Sequence, residues 1–334
     1  MKNEPIDSLI LNRFKKITRS ARIPGGIQFL QGDGEDTVVM KLSPQAMGAA
    51  LNATKRKDDS NMQTDKAAFE AWALLIHVHC GFRVVLDWTR EPEADAYQNH
   101  YGRFLYRAMK FAEQYPSWFS LSPALKDRVE NFRMYLRTHR FCNNVSNGEV
   151  GTKKGPESRI ETLFAGECDK VLKAIGERAG LSLEDSVIHR HLSVGLFEGE
   201  KAEGPRVFPG GNAAIDLWTT SGDSIVIFEL KVKNSMVGIL SELMFYANYM
   251  ADMFINHNTF TPTPVESESS DRGYEQLFSR HFRQVQAALL TDQLHSLITP
   301  EVLQEMNRGT SNIHYYDLRY ALDESDRPVQ EARP

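Results

Sequence analysis

The sequence predicts an α+β (α/β) chain: a mainly helical N-terminal domain, then a core in the order helix, three strands, helix, strand. Three observations predict it. Residues 65–79 and 100–141 carry apolar residues at helical spacing. Residues 213–232 hold two apolar, β-type runs around a Ser-Gly-Asp-Ser turn. A polar, Gly-rich stretch over 143–156 separates the two patterns, so the expected domains are 1–150, 151–322 and a charged tail, 323–334.

The elements follow in order. Thr64 or Asp65 suits a helix N-cap, Phe69, Trp72, Leu75 and Ile76 recur on the helix, and Gly81 is placed to end it. Phe82–Leu86 then reads as a strand, as does the run Thr37–Met40 earlier on. Residues 100–119 and 123–141 read as two aromatic- and Arg-rich helices. In the second half, Ile160, Phe164, Val171, Leu172 and Ile175 mark one helix over 157–179. A strand is expected over Val187–Phe197, a Gly/Pro/Lys loop over Glu198–Asn212, strands over Ala213–Thr220 and Ile225–Val232, and a long helix over Val237–Phe254. Strands over 285–291 and 314–322 close the core, and the last dozen residues are expected to fray.

Composition narrows the function classes. The 334 residues are 41% hydrophobic and 25% charged, which supplies a core and excludes collagen-like, low-complexity and mostly disordered chains. No run approaches the ~18 uncharged apolar residues of a membrane span. Met1–Arg22 is mixed and charged, so no secretory signal is expected. Three widely spaced cysteines, Cys80, Cys142 and Cys168, form no CxxC pair and suit a reducing cytoplasm. A net charge of −5 argues against a generally basic surface while leaving room for one basic groove. There is no Walker loop, Rossmann glycine fingerprint or Gly-x-Ser-x-Gly elbow.

The chemistry concentrates in Ile215-Asp216-Leu217-Trp218 and Ile225-Val226-Ile227-Phe228-Glu229-Leu230-Lys231-Val232. A turn centred on Gly222-Asp223 sets Ser221 opposite Ser224 and, counting outward, Asp216 opposite Glu229. Directly opposed side chains share a face, and alternation puts Lys231 on that face too. Two facing carboxylates repel. A divalent cation with hard oxygen ligands, Mg²⁺ or Mn²⁺, removes the conflict and accepts phosphate oxygens. Metal-bound water is a stronger nucleophile, and a neighbouring lysine holds that water or counters the charge formed on phosphorus. The plainer reading is a cross-strand ion network at a strand end.

Residues 157–291 resemble the PD-(D/E)XK nuclease superfamily, of restriction-endonuclease-like fold. Ile215-Asp216 matches the family's first motif, with Ile in place of Pro, and Glu229-Leu230-Lys231 matches the second. The resemblance implies that Asp216 and Glu229 bind Mg²⁺ or Mn²⁺ and that Lys231 assists the water. The family's helix glutamate, a further metal ligand, falls on Glu161 or Glu157. Ile160-Glu161 followed by Phe164 fits the family pattern and favours Glu161. Some members carry Gln-x-x-x-Tyr on the next helix; here Glu242 replaces the glutamine, and Tyr246 stands at the tyrosine as an implied nucleic-acid contact. The implied activity is metal-dependent endonucleolytic cleavage of nucleic acid, with DNA as the expected substrate, in restriction or anti-phage defence, by a homodimer or with a partner protein. The rival is a catalytically silent member that binds nucleic acid or protein. The resemblance covers about two-fifths of the chain and leaves residues 1–150 without a role.

Candidate phosphate contacts lie upstream. Arg133, Arg137 and Arg140 follow i, i+4, i+7 on the helix expected to reach residue 141, and so form one stripe. The bland alternative is a solvated face partly balanced by Asp127 and Glu130. Lys153 and Lys154 flank the Glu161 helix, and Arg206 sits in the Gly-rich loop before Asp216. His189 and His191 would share a strand face, a weaker candidate metal pair, while His77 and His79 are poorly spaced for one.

Overall fold

The computed structural model describes residues 5–48, 60–92, 97–143, 155–183, 186–199, 206–208, 214–234, 236–257, 259–262 and 273–330. The chain packs as two compact units. The first comprises Met1–Tyr135, Met236–Glu242 and His295–Gly309; the second comprises Leu136–Ser235, Leu243–Leu294 and Thr310–Pro334. Among the described residues no helix is long and apolar enough to cross a membrane.

The first unit opens with α1 (Ile6–Lys15), β1 (Ile27–Gln31), β2 (Thr37–Leu42), α2 (Phe69–Cys80), β3 (Arg83–Trp88), α3 (Asn99–Gln114) and β4 (Phe119–Leu121); α4 (Pro123–Thr138) follows and runs past its boundary. The mainly helical domain expected here is instead mixed, because the strands form one sheet in the order β1-β2-β3-β4. β1 and β2 make an antiparallel hairpin, and β3 and β4 add to it in parallel. Val38, Met40 and Leu42 of β2 are buried and the residues between them half-buried, the period of two that a strand gives. α2 is buried from Phe69 to Ile76, and it ends where Gly81, at φ 76°, lets its N–H reach the His77 carbonyl at 2.9 Å. The ion pair of Glu70 and Arg107 lies within this core, each side chain 3% exposed. Arg107 Nη2 also donates to the Ala67 carbonyl at 2.9 Å, which satisfies more of the fork.

The second unit contains β5 (Arg140–Asn143), α5 (Pro156–Phe164), α6 (Asp169–Arg178), β6 (His189–Ser193), β7 (Leu196–Glu198), β8 (Arg206–Phe208), β9 (Ala214–Ser221) and β10 (Ser224–Lys231). Next come α7 (Ile239–Ala251), which begins within the first unit, a π-helical turn (Asp252–Asn256), β11 (Thr261–Pro262), α8 (Tyr274–Ser279) and β12 (Gln284–Thr291). α9 (Pro300–Arg308) belongs to the first unit, and β13 (Ile313–Leu322) and β14 (Pro328–Gln330) end the chain. The main sheet runs β14-β13-β12-β10-β9-β6, and a smaller one runs β11-β5-β7-β8. β9 and β10 form an antiparallel hairpin, and β12 and β13 add to β10 in parallel.

Several expectations change. The single helix over 157–179 is two, because the chain turns at Ala165–Cys168, where the Cys168 N–H returns to the Leu163 carbonyl at 2.7 Å. The strand expected over 187–197 divides after Ser193 into β6 and β7, which join different sheets. The tail expected to fray includes β14, which pairs with Tyr320–Leu322 and places Pro328 at a sheet edge, where a missing N–H costs least.

Ile160, Phe164, Leu172 and Ile175 of α5 and α6 pack with Leu217, Val226, Phe228, Leu230, Ala288, Leu290, Leu318 and Tyr320 of the main sheet. Each large apolar side chain so buried contributes ~1.5–3 kcal/mol. This cluster fixes one face of β10. Every residue of β10 is buried, so its other face places Glu229 and Lys231 inside the protein as well.

Candidate active site

The site begins with a turn. Gly222 takes φ 56°, the positive value that the first central position of a two-residue II′ hairpin requires. The β9–β10 ladder then runs from Ser221–Ser224 to Leu217–Phe228, as the turn predicts. One further step in that register sets Asp216 opposite Glu229. There the carboxylate takes over from the ladder, and Asp216 Oδ2 accepts the Leu230 N–H at 2.9 Å.

Lys231 bridges the acids. Its Nζ forms a close ion pair with Glu229, lies 3.8 Å from Asp216 Oδ2 and donates to the Leu230 carbonyl at 3.0 Å. The Glu229 side chain is 1% exposed, Lys231 10% and Asp216 22%, so the cluster opens to solvent through Asp216. Tyr320 Oη donates to the Lys231 carbonyl at 3.0 Å and fixes the end of β10. Burial pushes the Tyr320 hydroxyl pKa up, so it remains a donor.

Glu161 meets other partners. Its Oε2 accepts His191 Nε2 at 2.8 Å and Arg190 Nη2 at 3.3 Å. Burial raises the Glu161 pKa, but the bonds and charges of His191 and Arg190 outweigh it, and the carboxyl lies below its ordinary range. Glu157, one turn earlier, is half-buried in the first turn of α5.

The sequence did not show why His191 reaches Glu161. In the β6–β9 ladder, Arg190 faces Leu217 and Leu192 faces Ile215, so His191 stands at the position facing Asp216. Its backbone is left-handed, φ 56°, which breaks the strand alternation there. His189 instead stacks on Trp218, ring centroids 4.8 Å apart. The two histidines expected on one face therefore have separate partners.

The proposed phosphate contacts are scattered. α4 ends at Thr138, so Arg140 lies on β5 and the Arg133–Arg137–Arg140 helical stripe does not form. Arg133 is held by Glu113 and by Glu130 at 3.0 Å, and Arg137 is exposed in the last turn. Arg206 is exposed on β8, its guanidinium 6.0 Å from the Phe197 ring centroid. Tyr246 is 3% exposed and packs against Phe245. Lys153 and Lys154 lie outside the described residues.

Asp216 and Glu229 set two carboxylates beside the Lys231 ammonium in a mostly buried site. That donor set fits a hard divalent ion which keeps several of its waters. Among the described residues no group of three or more His, Cys, Asp or Glu side chains that could hold a metal ion is found. Comparison with protein-family models, with curated proteins and with solved structures finds no match for this chain.

Proposed function

We propose that this chain is a Mg²⁺- or Mn²⁺-dependent phosphodiesterase that hydrolyses nucleic acid, with DNA the expected substrate. One observation carries the reading: the β9–β10 hairpin brings Asp216 Oδ2 to the Leu230 N–H at 2.9 Å, beside Glu229, and Lys231 lies against both carboxylates. Asp216 and Glu229 would hold the ion. When bound, it would supply a Lewis acid for a phosphate oxygen and lower the pKa of a bound water. Lys231, released from part of its contact with Glu229, orients the attacking water and offsets charge growing on the phosphate. Asp216, the most exposed of the three, faces incoming substrate. Glu161 lies outside this pair and serves through His191 and Arg190.

The test is plasmid nicking with Mg²⁺, with Mn²⁺ and with chelator, run beside Lys231→Ala and Glu229→Gln. The parent should cut only with metal, and each variant should lose about a thousandfold or more in rate while keeping its circular-dichroism spectrum. Variants that cut as well as the parent would remove the assignment.

A further inference from the structure

His191 has no role in the mechanism above, yet three features single it out. It occupies the position facing Asp216 in the sheet register. Its imidazole is held through Nε2 by Glu161 at 2.8 Å, and Arg190 reaches the same carboxylate oxygen at 3.3 Å. Its backbone sits at φ 56°, while its carbonyl accepts the Tyr274 hydroxyl at 3.1 Å.

The backbone is the most telling of these. A left-handed position on a strand is better served by glycine or asparagine, and a histidine there carries backbone strain. Such strain persists where the side chain is needed in one orientation. The ionised Glu161 accepts from Nε2, so Nε2 carries the proton and Nδ1 is the remaining polar atom of the ring.

Resting on the phosphodiesterase reading, we infer that His191 is a substrate-phosphate contact of this site, presented from the β6 side of Asp216, with Glu161 and Arg190 as its positioning residues. Phosphate would then meet Lys231 from β10 and His191 from β6. Glu161 contributes by aiming the imidazole.

The experiment compares His191→Gly, His191→Asn, Glu161→Ala and the double variant Glu161→Ala/His191→Gly with the parent. It reads thermal midpoint, affinity for a short DNA duplex in Ca²⁺, and kcat and KM in Mg²⁺. His191→Gly and His191→Asn relieve the backbone, so their midpoints should stay close to the parent's. Their duplex affinity or kcat/KM should fall about 10- to 100-fold, the loss of one charge-assisted hydrogen bond. The double variant should be no worse than the poorer single one, because both changes remove the same contact. A His191→Gly variant that binds and cuts like the parent would overturn the inference, as would additive losses.

If the parent itself does not cut, the phosphodiesterase reading fails, and a second measurement still decides the role of His191. Its imidazole NMR resonances are followed while inorganic phosphate, then a dinucleotide, is added. A shift in the parent that Glu161→Ala abolishes supports the phosphate contact. Unmoved resonances overturn it.

Discussion

The four-stranded β1–β4 sheet and the six-stranded sheet share a succession of strands and carry different charge. Each contains an antiparallel hairpin, β1-β2 or β9-β10, whose second strand is followed, across intervening helical segments, by two strands that add in parallel, β3 and β4 or β12 and β13; the six-stranded sheet also has β6 and β14 at its edges. In β10, Lys231 follows by two residues Glu229, which faces Asp216. In β2, Lys41 follows by two residues Val39, which faces Leu30. The lysine recurs and the carboxylates do not. Lys41 turns to the next strand and pairs with Asp87 at 2.9 Å, the two side chains 28% and 18% exposed. That pair is balanced and wet. The cluster around Lys231 sets two carboxylates against one ammonium and lies deeper, with Glu229 1% exposed. Two carboxylates held together inside a protein favour a bound cation or a proton, whereas a single part-exposed ion pair does not. Shared topology does not by itself confer chemistry.

The sharpest break of this comparison is to remove each lysine in turn. Lys231→Ala should cost about a thousandfold or more in metal-dependent cutting, roughly 4 kcal/mol of transition-state stabilisation. Lys41→Ala should leave cutting within about twofold. Equal losses would mean that the first sheet also takes part. A second contrast concerns balance itself. Arg107→Ala strands Glu70 inside the first unit and should destabilise the protein by about 3–5 kcal/mol in urea unfolding. Replacing both partners by apolar residues of similar size should recover most of that loss.

Where the determinants were local, the sequence told much of this. Ser221-Gly222-Asp223-Ser224 set the register that brings Asp216 to Glu229, and Gly81 marked the end of α2. Other features depended on tertiary structure. Thr37–Met40 and Phe82–Leu86 looked like isolated strands, because a parallel pair is joined only across a helix and leaves no hairpin signal. The helix α9 went unnoticed although Thr299 and Pro300 stand at its N-cap and first turn, a signal that could have found it. Arg140 follows the helical spacing of Arg133 and Arg137, yet the chain enters β5 there. His191 takes φ 56°, a departure from strand geometry that no spacing rule predicts, so the sequence does not join it to Glu161.

Acid should act on the first unit through His100. Its Nδ1 lies 2.9 Å from Arg103 Nη2, and burial, then the Arg103 charge, pushes its pKa down to about 4 from 6.5. The folded value is depressed, so the protein holds a neutral ring. Stability is fully present above pH 6.5 and declines as pH falls toward 4, by up to about 3 kcal/mol. Urea unfolding of the parent and of His100→Asn across that range should show the parent weakening more steeply than the variant over the same interval. Parallel curves would mean that the His100 pKa is the same in the folded and the unfolded chain.

The smallest effect tests the balanced pair directly. Asp87 is raised by burial but lowered further by the Ser122 hydroxyl at 2.7 Å, by Lys41 and by the Trp88 N–H, so its pKa lies below the ordinary 3.8. A depressed carboxyl contributes stability that is present above pH 3.8 and is lost as pH falls through the lower folded value. Asp87→Asn should therefore cost less than ~1 kcal/mol at neutral pH, since both partners are partly exposed and water screens them. The difference from the parent should close in strong acid, where Asp87 itself is neutral. A much larger cost at pH 7, or a loss of cutting, would show Lys41 and Asp87 doing more than holding two strands together, and the contrast between the two lysines would no longer separate a structural pair from a reactive one.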